Sequence, residues 1–209
     1  MSPIAIPLHT TFHQEKTVAI DIEIKMFITN PQALKTTIHA IQCQQQHTII
    51  ETNTFFDCSQ GKFKASDQGL RLRVEHQIGG PHKKATITHK GPRAHGHVKN
   101  RIEHEVEVHN PLDAAQLLEA LQYKRILSFE KKREIYYYKK CRICLDTIPH
   151  IGQFIEIDGP SHQDVMQIRE DLGMNDTPLV RASYIAMLQS YLSDNHINTD
   201  HISLQPLAA

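Results

Sequence analysis

Neither sign of charge is in excess: 23 Lys and Arg stand against 23 Asp and Glu, and the formal net charge is zero. Such a chain has no bulk attraction for nucleic acid or for an anionic membrane surface, so any electrostatic function must come from local arrangement. Cysteine is scarce. Cys43, Cys58, Cys141 and Cys144 are too few to staple a chain of 209 residues as a disulfide framework. Cys141 and Cys144 have CxxC spacing, but no second Cys or His pair completes a zinc site. On a strand the two would also face opposite ways, so all four read as free thiols. There is no apolar run of membrane length and no signal-peptide pattern, which gives the expectation of a cytoplasmic protein. A Walker A sequence is also missing. Histidine is plentiful at 15 residues, yet Thr88-His89-Lys90 and His95-Gly96-His97 match no ligand spacing and read as surface or loop.

What the chain does have is alternation. In Ile20-Asp21-Ile22-Glu23-Ile24-Lys25-Met26, four apolar side chains point one way and two carboxylates and an ammonium point the other. Taken alone, this stretch reads first as an edge strand with a solvated charged face. The same design recurs. Leu70, Leu72 and Val74 oppose Arg71, Arg73 and Glu75; Ala85 and Ile87 oppose Lys84, Thr86, Thr88 and Lys90. Ile102, Val106 and Val108 oppose Arg101, Glu103, Glu105 and Glu107, and Ile151, Ile155 and Ile157 oppose Glu156 and Asp158. Further strands are expected over about 48–57, 125–138 and 140–147. Asn30-Pro31 and Asn110-Pro111 open helices, each with Pro in the first turn. The first runs towards Gln46, and the second carries Leu112, Leu117, Leu118 and Leu121. Two more helices close the chain, over 161–172 and 181–192. Residues 1–193 therefore read as a single domain, and 194–209 as a flexible C-terminal tail. The segment from Gly91 to Val98 reads as a loop, either a lid or an ordinary connection.

About eight strands, each with one apolar and one charged face, would make a wide open sheet with exposed edges. Closing it removes the edges. The expectation is thus an α+β fold: a closed eight-stranded antiparallel β-barrel, helices packed outside, and charged side chains lining a tunnel. Charges of both signs facing one cavity are costly unless they pair or bind a ligand. Divalent cations together with a polyphosphate would satisfy both signs.

The motifs also resemble a known family. Asp21-Ile22-Glu23-Ile24-Lys25 is similar to the ExExK strand of the CYTH superfamily, which contains class IV adenylyl cyclases, thiamine triphosphatases and inorganic triphosphatases. Leu70-Arg71-Leu72-Arg73, Thr88-His89-Lys90-Gly91-Pro92, Arg101-Ile102-Glu103-His104-Glu105, Lys131-Lys132-Arg133, Leu145-Asp146 and Phe154-Ile155-Glu156-Ile157-Asp158 follow in the family's order. Ser183-Tyr184 is similar to the cyclase-like branch. The resemblance covers about residues 18–192 and implies a triphosphate tunnel. By position, Lys25, Arg71, Arg73, Lys90, Arg101 and Arg133 would bind the triphosphate, with Arg acting as a bidentate fork and Lys as a point charge. Asp21, Glu23, Asp146, Glu156 and Asp158 would hold Mg²⁺ or Mn²⁺, which prefer oxygen ligands. Glu103 and Glu105 could join either set. Glu23, Lys25 and Arg133 are the expected catalytic residues.

The chain departs from the family at Asp21 and Asp158, where a shorter acid replaces Glu, and at Asn53 and Phe55, which replace Asp and Tyr. The implied partner is a nucleoside triphosphate or an inorganic or organic triphosphate, with no nucleic acid and no membrane; a homodimer is compatible with the pattern. The leading expectation is a metal-dependent adenylyl cyclase converting ATP to cyclic AMP and pyrophosphate. Two alternatives stay open: a tripolyphosphatase or thiamine triphosphatase, and a non-catalytic nucleotide or polyphosphate-binding module.

Overall fold

The computed structural model describes residues 22–92 and 101–204. Its elements follow in the order β1 (Ile22–Phe27), α1 (Pro31–Ala40), β2 (Gln44–Cys58), α2 (Lys62–Ala65), β3 (Gly69–Gln77), β4 (Lys83–Lys90), β5 (Glu103–Glu107), α3 (Pro111–Ala120), β6 (Tyr123–Tyr138), β7 (Cys141–Ile148), β8 (Gly152–Gly159), α4 (His162–Asp171), α5 (Tyr184–Asp194) and β9 (His201–Ile202). Asp21, most of the loop after Gly91, and residues 205–209 lie outside the described residues.

The helix starts follow from the sequence. The Asn30 side chain accepts a hydrogen bond from the Ala33 amide, and that of Asn110 accepts from the Leu112 and Asp113 amides; both helices carry Pro in the first turn. A capping side chain satisfies amides that have no partner inside the helix. Helix α1 stops at Ala40, short of the expected Gln46. Gln42 adopts a left-handed φ of 60°, and β2 begins at Gln44 to pair with β6. In α3 the apolar positions divide. Ala114, Ala115 and Leu118 are buried, whereas Leu112, Leu117 and Leu121 are exposed, because the two small alanines let the helix approach Phe56, Leu70 and Leu72.

The strands form one nine-stranded sheet in the order β1-β8-β7-β6-β2-β3-β4-β5. Every neighbour along that path is antiparallel, and β9 joins β6 in parallel. The expected closed eight-stranded barrel is not formed. The path begins at β1 and ends at β5, and no pairing joins those two among the described residues. The backbone of β1 is already committed on both sides. It pairs with β8 on one edge, while Met26 bridges Leu179 and the Val180 amide donates to the Lys25 carbonyl at 2.7 Å. The segment after α4 thus takes the edge that closure would need. At the far end β5 is short and carries Glu103, Glu105 and Glu107, charges that discourage edge-to-edge pairing.

Though open, the sheet curls far enough for Glu23 and Lys25 of β1 and Lys90 of β4 to border one cavity. Ladder irregularities between β2 and β6, at Gln45/Thr48 and Phe55/Phe56, favour such bending. The outer face is apolar. Ile24, Met26, Ile143, Leu145, Ile155 and Ile157 pack with Leu34 and Ile38 of α1 and Val165 and Ile168 of α4. Helix α5 covers one end of the trough, where Tyr184, Leu188 and Leu192 meet Leu127, Phe129 and Phe154. All four cysteines are free. Cys141 joins the outer core and Cys144 the small cluster with Ile49 and Ile135, on opposite faces as strand alternation requires.

Replacing fully buried Ile157 with Ala is expected to cost about 2–5 kcal/mol, the range for removing an aliphatic side chain from a packed core. Urea denaturation followed by circular dichroism measures it, and a loss below about 1 kcal/mol would contradict the placement of this core.

Candidate functional site

The inner face of the trough is banded. Along β2, apolar Ile49 gives way to Glu51 and Asn53 and then to Phe55. Along β6, Ile135 gives way to Arg133 and Lys131 and then to Phe129 and Leu127. On β7 the corresponding run is Cys144, Asp146 and Ile148. Alternation puts each run on one face. Ile49, Ile135 and Cys144 form one apolar cluster, Leu127, Phe129 and Ile148 form another under α5, and the polar band lies between them. It borders a cavity of about 780 Å³ whose lining includes Glu23, Lys25, Arg71, Arg73, Lys90, Arg101, Lys131, Arg133 and Glu156. All six cations expected to bind phosphate line this one cavity.

Arg133 is the most heavily engaged. Its Nε and one terminal nitrogen each lie 2.6 Å from Asp146 oxygens, and the same terminal nitrogen donates to Glu156. Burial alone would lower its pKa, but Asp146, Glu51 and Glu156 carry it well above the ordinary value. Lys131 Nζ is 3.0 Å from Asp146 and 3.2 Å from Glu51. Lys25 Nζ is 3.4 Å from Glu156 and sits over the Tyr184 ring, 3.7 Å from its centroid. The Tyr184 hydroxyl donates to Asp146 at 2.9 Å.

On the β3–β5 side, Arg73 Nε donates to Asn53 at 2.9 Å. Arg71 donates to the Thr88 hydroxyl at 3.1 Å, which donates to Glu105 at 2.9 Å. Lys90 donates to Glu103. Burial and then the Arg73 charge push the Arg71 pKa down to about 10. Burial and Arg71 lower Lys90, with Glu103 opposing. This half of the trough holds a local excess of cationic character, the environment that favours a bound anion.

The acids expected to bind metal separate into two groups. Asp146 lies among the cations. Glu23 and Asp158 are directly opposite each other across the β1–β8 ladder, one step along from Lys25 and Glu156, and Asp158 also accepts from Arg142 at 2.9 Å. Burial, with Glu23 and Glu156 nearby, pushes the Asp158 pKa up to about 7 against the pull of Arg142. Like charges directly opposite on a ladder are unfavourable unless a proton or cation intervenes. A hard divalent cation between Glu23 and Asp158 would relieve that repulsion, whereas Glu156 is engaged by Lys25 and Arg133. Among the described residues no three His, Cys, Asp or Glu donors converge in metal-binding geometry, and Asp21 lies outside them.

Several participants were not picked out in the sequence. Lys131 was noted only as part of a motif, although it lies two residues from Arg133 and so on the same face. Glu51 had the same signal, alternating with Asn53. Tyr184 was likewise noted only within the Ser183-Tyr184 motif, without a role, and the packing of α5 brings it to Lys25. Of the two uncertain acids, Glu103 pairs with Lys90, and Glu105 meets Thr88 and, at 3.6 Å, Lys84.

The inner face of this curled antiparallel sheet interleaves cations and carboxylates around one cavity. The chain belongs to the CYTH domain family, which matches residues 19–184. It is similar to a candidate adenylate cyclase of Methanocaldococcus jannaschii, 22% identical over 177 residues and covering 80% of this chain and 98% of that one. Among solved structures, a Pyrococcus horikoshii protein at 25% identity has a TM-score of 0.72 over 82% of this chain and 99% of its own. A Hippeastrum protein at 19% identity has a TM-score of 0.66 over 82% and 96%. That one is described as a candidate adenylyl cyclase with a dominant triphosphatase activity. No described helix is long and apolar enough to cross a membrane.

The raised Asp158 pKa fixes a sign for pH dependence. An acid protonated more readily in the folded state than in the unfolded one contributes stability below its unfolded pKa, and that contribution is lost as pH rises towards the folded value near 7. Asp158→Asn should therefore gain in melting temperature relative to the native chain between pH 5 and pH 8. A difference that stays constant across that range would contradict the burial of this acid.

Proposed function

We propose that this protein is a metal-dependent enzyme acting on a triphosphate, with the adenylyl cyclase reaction on ATP as the first reading. The observation that carries the proposal is one cavity bordered at once by Lys25, Arg71, Arg73, Lys90, Arg101 and Arg133 and by the apolar Phe55, Ile126, Phe129 and Ile185. The cations suit a polyphosphate, and the apolar wall gives a flat organic ring a place beside it. CYTH membership and the similarity to a candidate adenylate cyclase support this reading.

In this reading Arg71, Arg73, Lys90 and Arg101 grip the phosphate chain from β3, β4 and the start of the β5 segment. Lys25 and Arg133 approach from β1 and β6, held in place by Glu156 and Asp146. Their role is to stabilise charge that develops on the departing pyrophosphate; catalysis of this kind rests on positioning and electrostatics rather than on a covalent intermediate. Mg²⁺ or Mn²⁺ bound by Glu23 and Asp158, with Asp21 as a further donor, would supply Lewis-acid polarisation of a phosphoryl oxygen. Asp146 then serves mainly to aim Arg133 and Lys131.

Hydrolysis of the terminal phosphate is a second reading, favoured by the triphosphatase activity ascribed to the Hippeastrum protein. The same cations and acids serve either reaction; what differs is whether a ribose hydroxyl or water attacks.

Incubation with Mg²⁺ or Mn²⁺ and, separately, ATP, tripolyphosphate and thiamine triphosphate distinguishes these readings. Cyclic AMP and pyrophosphate from ATP are expected. Orthophosphate from tripolyphosphate without any cyclic AMP would replace the cyclase reading with the hydrolytic one. Tight binding with no turnover of any of the three would reject an enzyme altogether. Glu23→Gln should lower turnover by about a hundredfold or more, the scale of losing one charge-stabilising element at the reacting centre. Its melting temperature should barely change, because the substitution also relieves repulsion with Asp158. An unchanged rate would remove Glu23 from the metal site.

A further inference from the structure

One carboxylate in the trough belongs neither to the acid pair nor to the phosphate-binding set. Glu51 on β2 has 0% exposure. Its Oε2 lies 3.2 Å from Arg73 Nε and 3.2 Å from Lys131 Nζ, and its Oε1 lies 3.5 Å from Arg133 Nε. Asn53 Nδ2 donates to Oε2 at 3.4 Å. These contacts are looser than the 2.6 Å bonds between Arg133 and Asp146, and charge-assisted hydrogen bonds ordinarily lie near 2.7–2.9 Å. Oε1 has no hydrogen-bond partner among the described residues. Glu51 is surrounded by opposite charge, yet none of its neighbours is clamped to it.

The company it keeps separates it from the metal-type acids. Burial would raise its pKa, but Arg73, Lys131, Arg133 and Arg71 hold it well below the usual carboxylate range, even with Glu75 opposite it on the β2–β3 ladder. Asp158, by contrast, responds to Glu23 and Glu156. Glu51 is therefore the anion at the centre of the cationic half.

We propose that Glu51 is a built-in counter-ion that competes with the phosphates of the substrate for Arg73, Lys131 and Arg133. A cluster of desolvated cations cannot persist without an anion among them, and Glu51 fills that place when no polyphosphate is bound. Its contacts with these cations are longer than their bonds to Asp146 and Asn53, so a ligand that brings several negative charges can replace Glu51 while those bonds persist. Its own charge weakens the grip on every phosphate chain, product included. Uniformly tight binding lowers KM without speeding the chemistry, so a fixed internal anion keeps release from becoming limiting. The inference rests on the reading of this cavity as a triphosphate site.

The test compares the native chain with Glu51→Gln and Glu51→Asp. Titration calorimetry with tripolyphosphate in the absence of divalent metal reads affinity, thermal melts read stability, and steady-state assays with metal and ATP read kcat and KM. Glu51→Gln is expected to bind tripolyphosphate about tenfold tighter or more, since one unit of nearby repulsion is removed in a weakly screened site. It should melt lower without ligand, gain more from tripolyphosphate than the native chain does, and show a fall in both KM and kcat. Glu51→Asp keeps the charge and should bind within about threefold of the native chain. Weaker binding and a raised KM in Glu51→Gln would mark a merely structural residue and overturn the proposal, as would Glu51→Asp binding as tightly as Glu51→Gln. If Glu51→Gln is unfolded alone, recovery of its melting transition with tripolyphosphate supports the competition, and failure to recover rejects it. Should neither the native chain nor Glu51→Gln bind tripolyphosphate, the triphosphate reading falls and this inference with it. If only the native chain binds, the inference alone falls.

Discussion

Arg133 holds the positive charge that the rest of the trough is arranged around. Its side chain is 4% exposed, and a guanidinium so far from water persists only with its charge and its donors satisfied. Asp146 from β7, Glu156 from β8 and Glu51 from β2 provide for this, with Arg133 itself on β6 between β7 and β2. Because the partners come from separate strands, the network also acts on register. A slip of one residue on any of these strands would turn its charged side chain to the apolar outer face, leaving charges uncompensated on both sides.

The position of this network explains the banding of the inner surface. Apolar clusters at Ile49, Ile135 and Cys144 and beneath α5 flank the ionic band, keeping water from screening it along those two directions. Tyr184 joins the α5 cluster to the ions. Its ring lies under the Lys25 ammonium and its hydroxyl bonds Asp146, so one side chain meets a cation with its face and an anion with its edge. The phenol remains protonated because burial and then Asp146 and Glu156 raise its pKa well above the usual value. Arg71, Arg73 and Lys90 stand on β3 and β4, and the acid pair Glu23 and Asp158 on β1 and β8.

Much of this was legible in the chain because a strand has a period of two. The separation of Ile24 from Lys25, of Leu72 from Arg73 and of Ile155 from Glu156 needs no tertiary information, and it put the six expected phosphate-binding cations on inner faces. The Asn-Pro helix starts were equally local. Glu51 and Lys131 carry the same periodic signal, in step with Asn53 and Arg133, but that they meet each other depends on the β2–β6 register. The division of the acids was not legible. Alternation says that Asp146 and Asp158 both face inward, but not that one meets Arg133 and the other Glu23.

Closure of the sheet marks the limit most clearly. The sequence by itself determined a set of amphipathic antiparallel strands, their charged inner faces, the capped helices and the CYTH motifs, since each depends on residues a few positions apart. A barrel was the expected way to remove the edges, yet which edge pairs with which is a long-range matter. The structure spends the free edge of β1 on Leu179 and Val180 and ends the sheet at the short, acidic β5. Only tertiary structure decided that the charges line an open, curled trough, because the hydrogen bonds that settle it join segments more than 150 residues apart in the chain.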